Sequence, residues 1–270
     1  MSKRPKLIAT DLDGTIVQHD GTISQRTIDA FTHAHELGIH IFFVTGRPPR
    51  WMHEIRDTFS FGEAICGNGA MLYNLQEGKV TEEWMITSEL QIEVAQRLRK
   101  VIPQVSFAIE SHDYYHREKL YVPRWDVGLD NVGVERIEEA VRGPAFKMLA
   151  RCSDGEFTSD QMLEIAIPEL DGLVTVTHSN ANESLLEISA LGISKGTTLA
   201  TVAARLSIDA QDCVSFGDNP NDFSMLTWCG RSYAMADGHP DGVNFATSVA
   251  LAHKEDGVAI VIEELLQLPA

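Results

Sequence analysis

Short apolar runs that stop abruptly at polar or acidic turns alternate along this chain with stretches of helical spacing. Lys6–Thr10 is such a run, and it ends at Asp11-Leu-Asp-Gly-Thr15, which predicts a strand and then a turn. Over Ser24–Leu37 the apolar positions Ile28, Phe31, Ala34 and Leu37 recur at helical spacing, with Ser24 placed as N-cap and Gly38 as C-cap. Ile39–Val44 is a second continuous apolar run, ending at Thr45-Gly-Arg-Pro48. Strand, helix and strand in that order make a βαβ unit. Strands apolar on both faces belong in a parallel sheet covered by helices on either side.

The alternation returns late in the chain. Ser194–Leu206 reads as a helix, Cys213–Phe216 as a strand and Gly217–Asp222 as the loop after it. Phe223–Leu226 opens a further helix, Ser232–Met235 is a short strand, and Gly257–Leu268 is a terminal amphipathic helix. Between these halves the pattern changes. A helix over Ser88–Val101, strand-like runs at Val105–Ile109 and Gly172–His178, and an acidic helix over Ser159–Ile167 sit in a stretch denser in Tyr, Trp and His. That stretch is far too long for one crossover connection and reads as an inserted domain. The expected fold is α/β: a Rossmann-like, doubly wound parallel-sheet core over residues 1–80 and 189–270, with an α+β cap domain over 81–188. In open sheets of this kind ligands bind beyond the carboxyl ends of the strands, where the acidic loops fall here.

Composition narrows the partners. A chain of 270 residues, 44% of them hydrophobic, can bury a core without metal or disulfide staples. Its 22 basic and 39 acidic side chains leave a net charge of −17, which argues against nucleic-acid and anionic-membrane partners. No apolar window approaches a membrane span, and the run before Asp11 is too short for a signal-peptide core. Cys66, Cys152, Cys213 and Cys229 are widely spaced, which fits buried reduced thiols and a cytoplasmic protein. A monomer or a small homo-oligomer is expected. An anionic substrate would meet a repulsive overall field, so local cations, a metal or helix N-termini would have to overcome it.

Four segments carry candidate chemistry. In Asp11-Leu-Asp-Gly-Thr15 two carboxylates stand close together after a buried strand, a costly arrangement that a bound Mg²⁺ relieves, since it takes oxygen ligands. An ordinary Asx-rich turn has the same pattern. Gly217-Asp-Asn-Pro-Asn-Asp222 gathers acidic and amide side chains in a second strand-end loop, and equally suits a helix cap with Asp222 as N-cap. Val44-Thr-Gly-Arg47 offers a hydroxyl and backbone N–H groups for a phosphate at an expected helix N-terminus. Gly192-Ile-Ser-Lys-Gly196 puts a lysine at a helix start, where a solvated surface charge is the ordinary reading.

Taken together, the order and spacing of these segments resemble the haloacid dehalogenase-like (HAD) phosphohydrolases, and in particular the Cof-type subfamily with its cap inserted between the second and third motifs. The resemblance runs the length of the chain and includes Gly67-Asn-Gly-Ala70, Leu186-Glu-Ile188 and Glu255-Asp-Gly-Val258. The short interval from Asp13 to Thr45 leaves no room for the helical cap of the sugar-phosphate mutases. Ala236-Asp-Gly238 departs from the family's usual Gly-Asn-Ala.

That resemblance implies a Mg²⁺-dependent phosphatase of small phosphorylated metabolites such as sugar, nucleotide, flavin or pyridoxal phosphates. Carried over by position, Asp11 is the nucleophile that forms an aspartyl-phosphate, and Asp13 the general acid and then base. Leu12, Thr45, Gly46, Lys195 and Asn221 contact phosphate or substrate. The metal is held by Asp11, Asp218 and the backbone carbonyl of Asp13, while Asp222 orients Lys195 or water on the metal. The cap is expected to close over the site and choose the leaving group, with His112, Tyr114, Tyr115, His116, Arg117, Tyr121, Arg124, Trp125, His178 and Asn180 as candidates. For each of these, packing inside the cap is the competing reading. His33, His35 and His253 read as solvated. A non-catalytic phosphometabolite sensor and a phosphotransferase are the alternatives; two intact aspartates at 11 and 13 count against the sensor.

Overall fold

A computed structural model describes residues 3–112, 114–123, 132–153 and 155–269, and the elements follow the chain in three stages. First come β1 (Leu7–Thr10), α1 (Gln25–Glu36), β2 (His40–Val44), α2 (His53–Thr58), β3 (Glu63–Cys66), β4 (Met71–Asn74) and β5 (Lys79–Glu83). Next are α3 (Ser88–Val101), β6 (Ser106–Glu110), β7 (Tyr115–Arg117), β8 (Lys147–Arg151), α4 (Ser159–Leu170), β9 (Val174–Thr177) and β10 (Leu185–Ala190). Last come α5 (Lys195–Arg205), β11 (Cys213–Gly217), α6 (Phe223–Trp228), β12 (Arg231–Met235), β13 (Ser248–Ala250) and α7 (Gly257–Leu266). The chain divides into two compact units, Met1–Glu82 with Ser194–Ala270, and Glu83–Ile193.

The first unit is built on an eight-stranded sheet ordered β13-β12-β11-β1-β2-β3-β4-β5. Every pairing from β13 through β3 is parallel, and β4 turns back antiparallel on β3. From β1 the chain winds outward through β2 and β3, then re-enters on the other side of β1 with β11. The order reverses between these two strands, and Thr10 at the end of β1 lies in register with Phe216 of β11. All four residues of β1 and all five of β11 are buried, as expected of strands covered on both faces.

Helix α1 shows why the periodicity was readable. Ser24 caps it by accepting a bond from the Thr27 amide at 3.1 Å, and Ala30, Phe31 and Ala34 face the core. Phe31 meets the rings of Phe43 on β2 and of Phe59, each at 5.9 Å between centroids.

The second unit carries an antiparallel sheet ordered β7-β6-β8-β10-β9. Val94 and Leu98 of α3 and Met162 and Ala166 of α4 pack with Phe107, Ile109, Met148, Leu186 and Ile188 in its core. The alternate positions of the same strands hold Ala108, Leu149, Leu185 and the ion pair Lys147–Glu187 at 3.0 Å, while Arg151 of β8 pairs at 3.1 Å with Glu183, just before β10. Those buried charges hid β8 from a hydropathy reading; β5, Lys79-Val-Thr-Glu-Glu83, was hidden for the opposite reason, being exposed or half-buried along its whole length. Strand β10 runs through residues 188 and 189, where the expected boundary falls, and belongs wholly to this unit.

Among the described residues, no helix is long and apolar enough to cross a membrane. The four cysteines are buried and unpaired by disulfides. His253 corrects one expectation: it is buried, with Nδ1 2.7 Å from Asp237 Oδ2 and its ring 4.7 Å from that of His19.

Candidate active site

Parallel pairing of β1 and β11 brings two acidic loops out side by side. The Asp11 amide extends the ladder by donating to the Phe216 carbonyl at 2.9 Å, and one residue beyond Gly217 the chain reaches Asp218. Gly14 lets the first loop turn between them. Its φ is +83°, and a Cβ there would lie 2.5 Å from Asp218 Oδ2, so a side chain would strain the turn and displace that carboxylate.

A third element supplies the cation. Ser194 and Thr197 cap α5 reciprocally, the Thr197 amide donating to Ser194 Oγ at 3.2 Å and the Ser194 amide to Thr197 Oγ1 at 2.9 Å. Gly196 brings α5 hard against α6: its amide donates to Ser224 Oγ at 3.0 Å, and a Cβ would lie 2.3 Å from the Ser224 carbonyl. Lys195 sits between cap and contact. It is fully buried, and its Nζ donates to Asp11 Oδ1 at 2.5 Å and to Asp222 Oδ1 at 2.6 Å. The solvated-surface reading of this lysine is therefore wrong. Burial pulls the ammonium pKa down, but Asp11 and Asp222 more than offset it and hold Lys195 protonated.

Asp222 does not cap α6 with its side chain, as one sequence reading had it. Its Oδ2 accepts instead from the amides of Asp218 at 3.0 Å and Asn219 at 3.1 Å, fixing the loop from inside. Both of its oxygens are thus engaged. Carboxylate oxygens of Asp11, Asp218 and Asp222 lie within 4.8 Å of one another. Three carboxylates face one lysine in this buried cluster, which leaves negative charge uncompensated. Burial first, then Asp222 and Asp13, push the Asp11 carboxyl up to about 7 against the pull of Lys195. Burial and the charges of Asp11 and Asp222 raise Asp218 well above the usual carboxylate range. A hard dication with oxygen ligands suits this donor set, with Asp11 and Asp218 as the groups to hold it.

Asp13 lies near enough for its charge to act on Asp11 and Asp218 but binds elsewhere. Its carboxylate is exposed and accepts two bonds from one guanidinium, Arg47 Nε at 2.8 Å and Nη2 at 2.5 Å. The Leu12 side chain lies in the core, while its carbonyl closes the turn by accepting from the amides of Thr15, Ile16 and Val17. Thr15 Oγ1 donates to Asp11 Oδ2 at 3.4 Å.

Thr45 is buried at the end of β2, where its Oγ1 accepts from the Arg47 amide at 3.1 Å and its carbonyl from the Asn68 amide at 3.0 Å. Gly46 follows in a bend; the next helical turn begins only at Pro49, so the segment is a loop and not the helix N-terminus expected. Asn221 is buried and donates from Nδ2 to Asn68 Oδ1 at 3.1 Å, while its own Oδ1 has no partner among the described residues. Arg47 and Asn68 are residues that sequence reasoning quoted without assigning a role. Their signals were available: Arg47 lies in the same strand-end loop as Thr45, and Asn68 (φ +58°) stands between two glycines.

Within the second unit the candidates separate. Tyr115 and Tyr121 are buried with Ala108, Leu149 and Leu185. His112 Nε2 lies 2.5 Å from Glu83 Oε2. The Tyr114 and His116 rings lie 4.9 Å apart, and burial lowers the His116 pKa. Arg117 Nη1 donates to the Tyr121 carbonyl at 3.2 Å. His178 is buried with Nε2 2.8 Å from Asp160 Oδ1, and the Asn180 carbonyl accepts from Ser159 Oγ at 2.6 Å. Arg124 and Trp125 lie outside the described residues.

Residues 8–262 match the family model described as haloacid dehalogenase-like hydrolase. The 5-amino-6-(5-phospho-D-ribitylamino)uracil phosphatase YitU of Bacillus subtilis (strain 168) is 23% identical, covering 99% of this chain and 100% of its own. The HMP-PP phosphatase of Klebsiella pneumoniae (strain 342) is 27% identical over 87% of this chain and 85% of its own. Among solved structures, the phosphatase BT1666 of Bacteroides thetaiotaomicron superposes with a TM-score of 0.80 at 23% identity, over 97% of this chain and 95% of its own.

Proposed function

The chain belongs to the haloacid dehalogenase-like hydrolase family, and from that premise we propose that this phosphoric monoester hydrolase is magnesium-dependent and acts through an aspartyl-phosphate on small phosphorylated metabolites. Sugar phosphates, nucleotides, and flavin or pyridoxal phosphates are the substrate classes in view; the names of the two phosphatase relatives support that range. The observation that carries the reading is Lys195, fully buried between Asp11 and Asp222, with Asp218 in the same cluster. A buried lysine shared by two carboxylates at the ends of adjacent parallel strands has little to recommend it as a packing device. As a seat for a phosphoryl dianion it does.

In this reading an Asp11 carboxylate oxygen attacks phosphorus and the bond to the leaving oxygen breaks. Asp13 gives its proton to that oxygen, then takes one from the water that hydrolyses the aspartyl-phosphate. Lys195 offsets charge on Asp11 and on the phosphoryl oxygens, and Asp222 keeps it in place. Thr45, Gly46 and Asn221 orient the phosphoryl group. Asp11, Asp218 and the Asp13 carbonyl would hold Mg²⁺, which when bound supplies the positive charge that the cluster lacks. We assign catalysis to the unit of Met1–Glu82 with Ser194–Ala270, and choice of leaving group to Glu83–Ile193. A cytoplasmic location suits the four free thiols.

Release of inorganic phosphate from a panel of phosphate esters, in Mg²⁺ or in EDTA, tests this. Turnover in Mg²⁺ that EDTA abolishes is expected, with Asp11→Asn folded and inactive. Absence of turnover on every ester, an activated aryl phosphate included, overturns it, and an active Asp11→Asn variant removes Asp11 as nucleophile.

A further inference from the structure

The geometry points to Arg47 as the positioning residue for Asp13: its guanidinium holds the proton-transferring carboxylate in place, acting through it and not on phosphate. This rests on the reading of Asp13 as general acid and base. Both Asp13 oxygens are engaged by one fork, Nε at 2.8 Å and Nη2 at 2.5 Å, which fixes the carboxylate in direction as well as distance. The arginine is itself anchored. Its amide donates to Thr45 Oγ1 at 3.1 Å, its carbonyl accepts from the Gly67 amide at 3.0 Å, and its side chain is only 14% exposed. The loop after β2 thereby fixes a side chain of the loop after β1.

Two other roles fit less well. Asp13 has 58% of its side chain exposed, and an ion pair to so exposed a carboxylate gives the fold little. Nor is Arg47 a spare cation for phosphate: Nη1 lies 3.5 Å from Glu54 Oε2, so acidic groups flank the guanidinium on two sides. What the pair does accomplish is order. A solvent-facing aspartate samples several rotamers, and a proton-transfer group is effective only within hydrogen-bond reach of the leaving oxygen.

The test compares Arg47→Ala, Arg47→Lys, Asp13→Asn and the Asp13→Asn/Arg47→Ala double variant on an alkyl phosphate, whose poor leaving group needs the acid, and on p-nitrophenyl phosphate, which needs it less. Circular dichroism checks that each is folded. Arg47→Ala is expected to lower kcat about tenfold or more on the alkyl ester, less on the initial burst of p-nitrophenolate, with KM within about twofold. Arg47→Lys recovers only part, because an ammonium cannot span both oxygens. In the Asp13→Asn background, removing Arg47 changes the p-nitrophenolate burst by less than about twofold. Equal losses on both esters, a rise in KM as the main effect, or a full further loss in the Asp13→Asn background overturns the inference while leaving Asp13 as the acid. An Asp13→Asn variant as active as wild type on the alkyl ester instead overturns the reading beneath it, and the positioning role with it.

Discussion

Lys195 is the residue on which the proposed chemistry and the packing of the cluster meet. Its ammonium is shut away from water and is stable there only because Asp11 and Asp222 each accept a bond from it. Lys195→Met would leave two buried carboxylates facing each other, and breaking such a pair costs about 3–5 kcal/mol. The expected outcome is a protein with no detectable phosphatase activity and a clearly lower urea midpoint; an unchanged midpoint would mean that the cluster tolerates its own charge. Spacing and composition alone could not reach this, although the family resemblance had set Asp222 to orient Lys195. A lysine one residue past a serine cap is a surface lysine in most proteins; here it is buried, in a helix start where Gly196 packs hard against Ser224. Asp11 and Asp13 show the opposite case. Their type and spacing were legible, but not that Arg47 would take Asp13 while Lys195 takes Asp11.

At the scale of elements, α5 positions that lysine, and its cap is the adjacent residue. Ser194→Ala removes a reciprocal capping box and is expected to cost about 1 kcal/mol of stability. Because Lys195 follows directly, kcat should fall as well. Thr158→Ala removes the equivalent box from α4 in the second unit, where the Gln161 amide donates to Thr158 Oγ1 at 3.1 Å. It should lower stability comparably while leaving the p-nitrophenyl phosphate rate unchanged. Urea melts and steady-state rates on the two variants separate a cap that serves the site from one that serves only its helix. Elements with one apolar stripe or a continuous apolar run, such as α1, β1, β2 and β11, were readable because burial there is uniform. Strands β8 and β10 were not, since alternate positions carry charges that find partners only after the sheet has formed, and neither was β5, exposed or half-buried along its whole length.

For the whole molecule, the net charge of −17 sets a repulsive field around a site meant for a phosphate ester. Screening should help substrate approach. Raising ionic strength from about 0.01 M to about 0.15 M shortens the screening length from about 30 Å to about 8 Å, and kcat/KM on a dianionic ester is expected to rise about twofold. A fall instead would show that cations of the site, not the overall field, govern association. Sequence by itself determined the α/β class, the presence of an inserted domain and the four strand-end or helix-start segments to which we assign the chemistry, because periodicity and turn residues act locally. It did not determine which strands those segments adjoin. The placement of β11 beside β1, the burial of Lys195 and the capture of Asp13 by Arg47 all join residues distant in the chain. Each depends on packing and on charge compensation in a water-poor interior, and those arise only when the sheet is assembled.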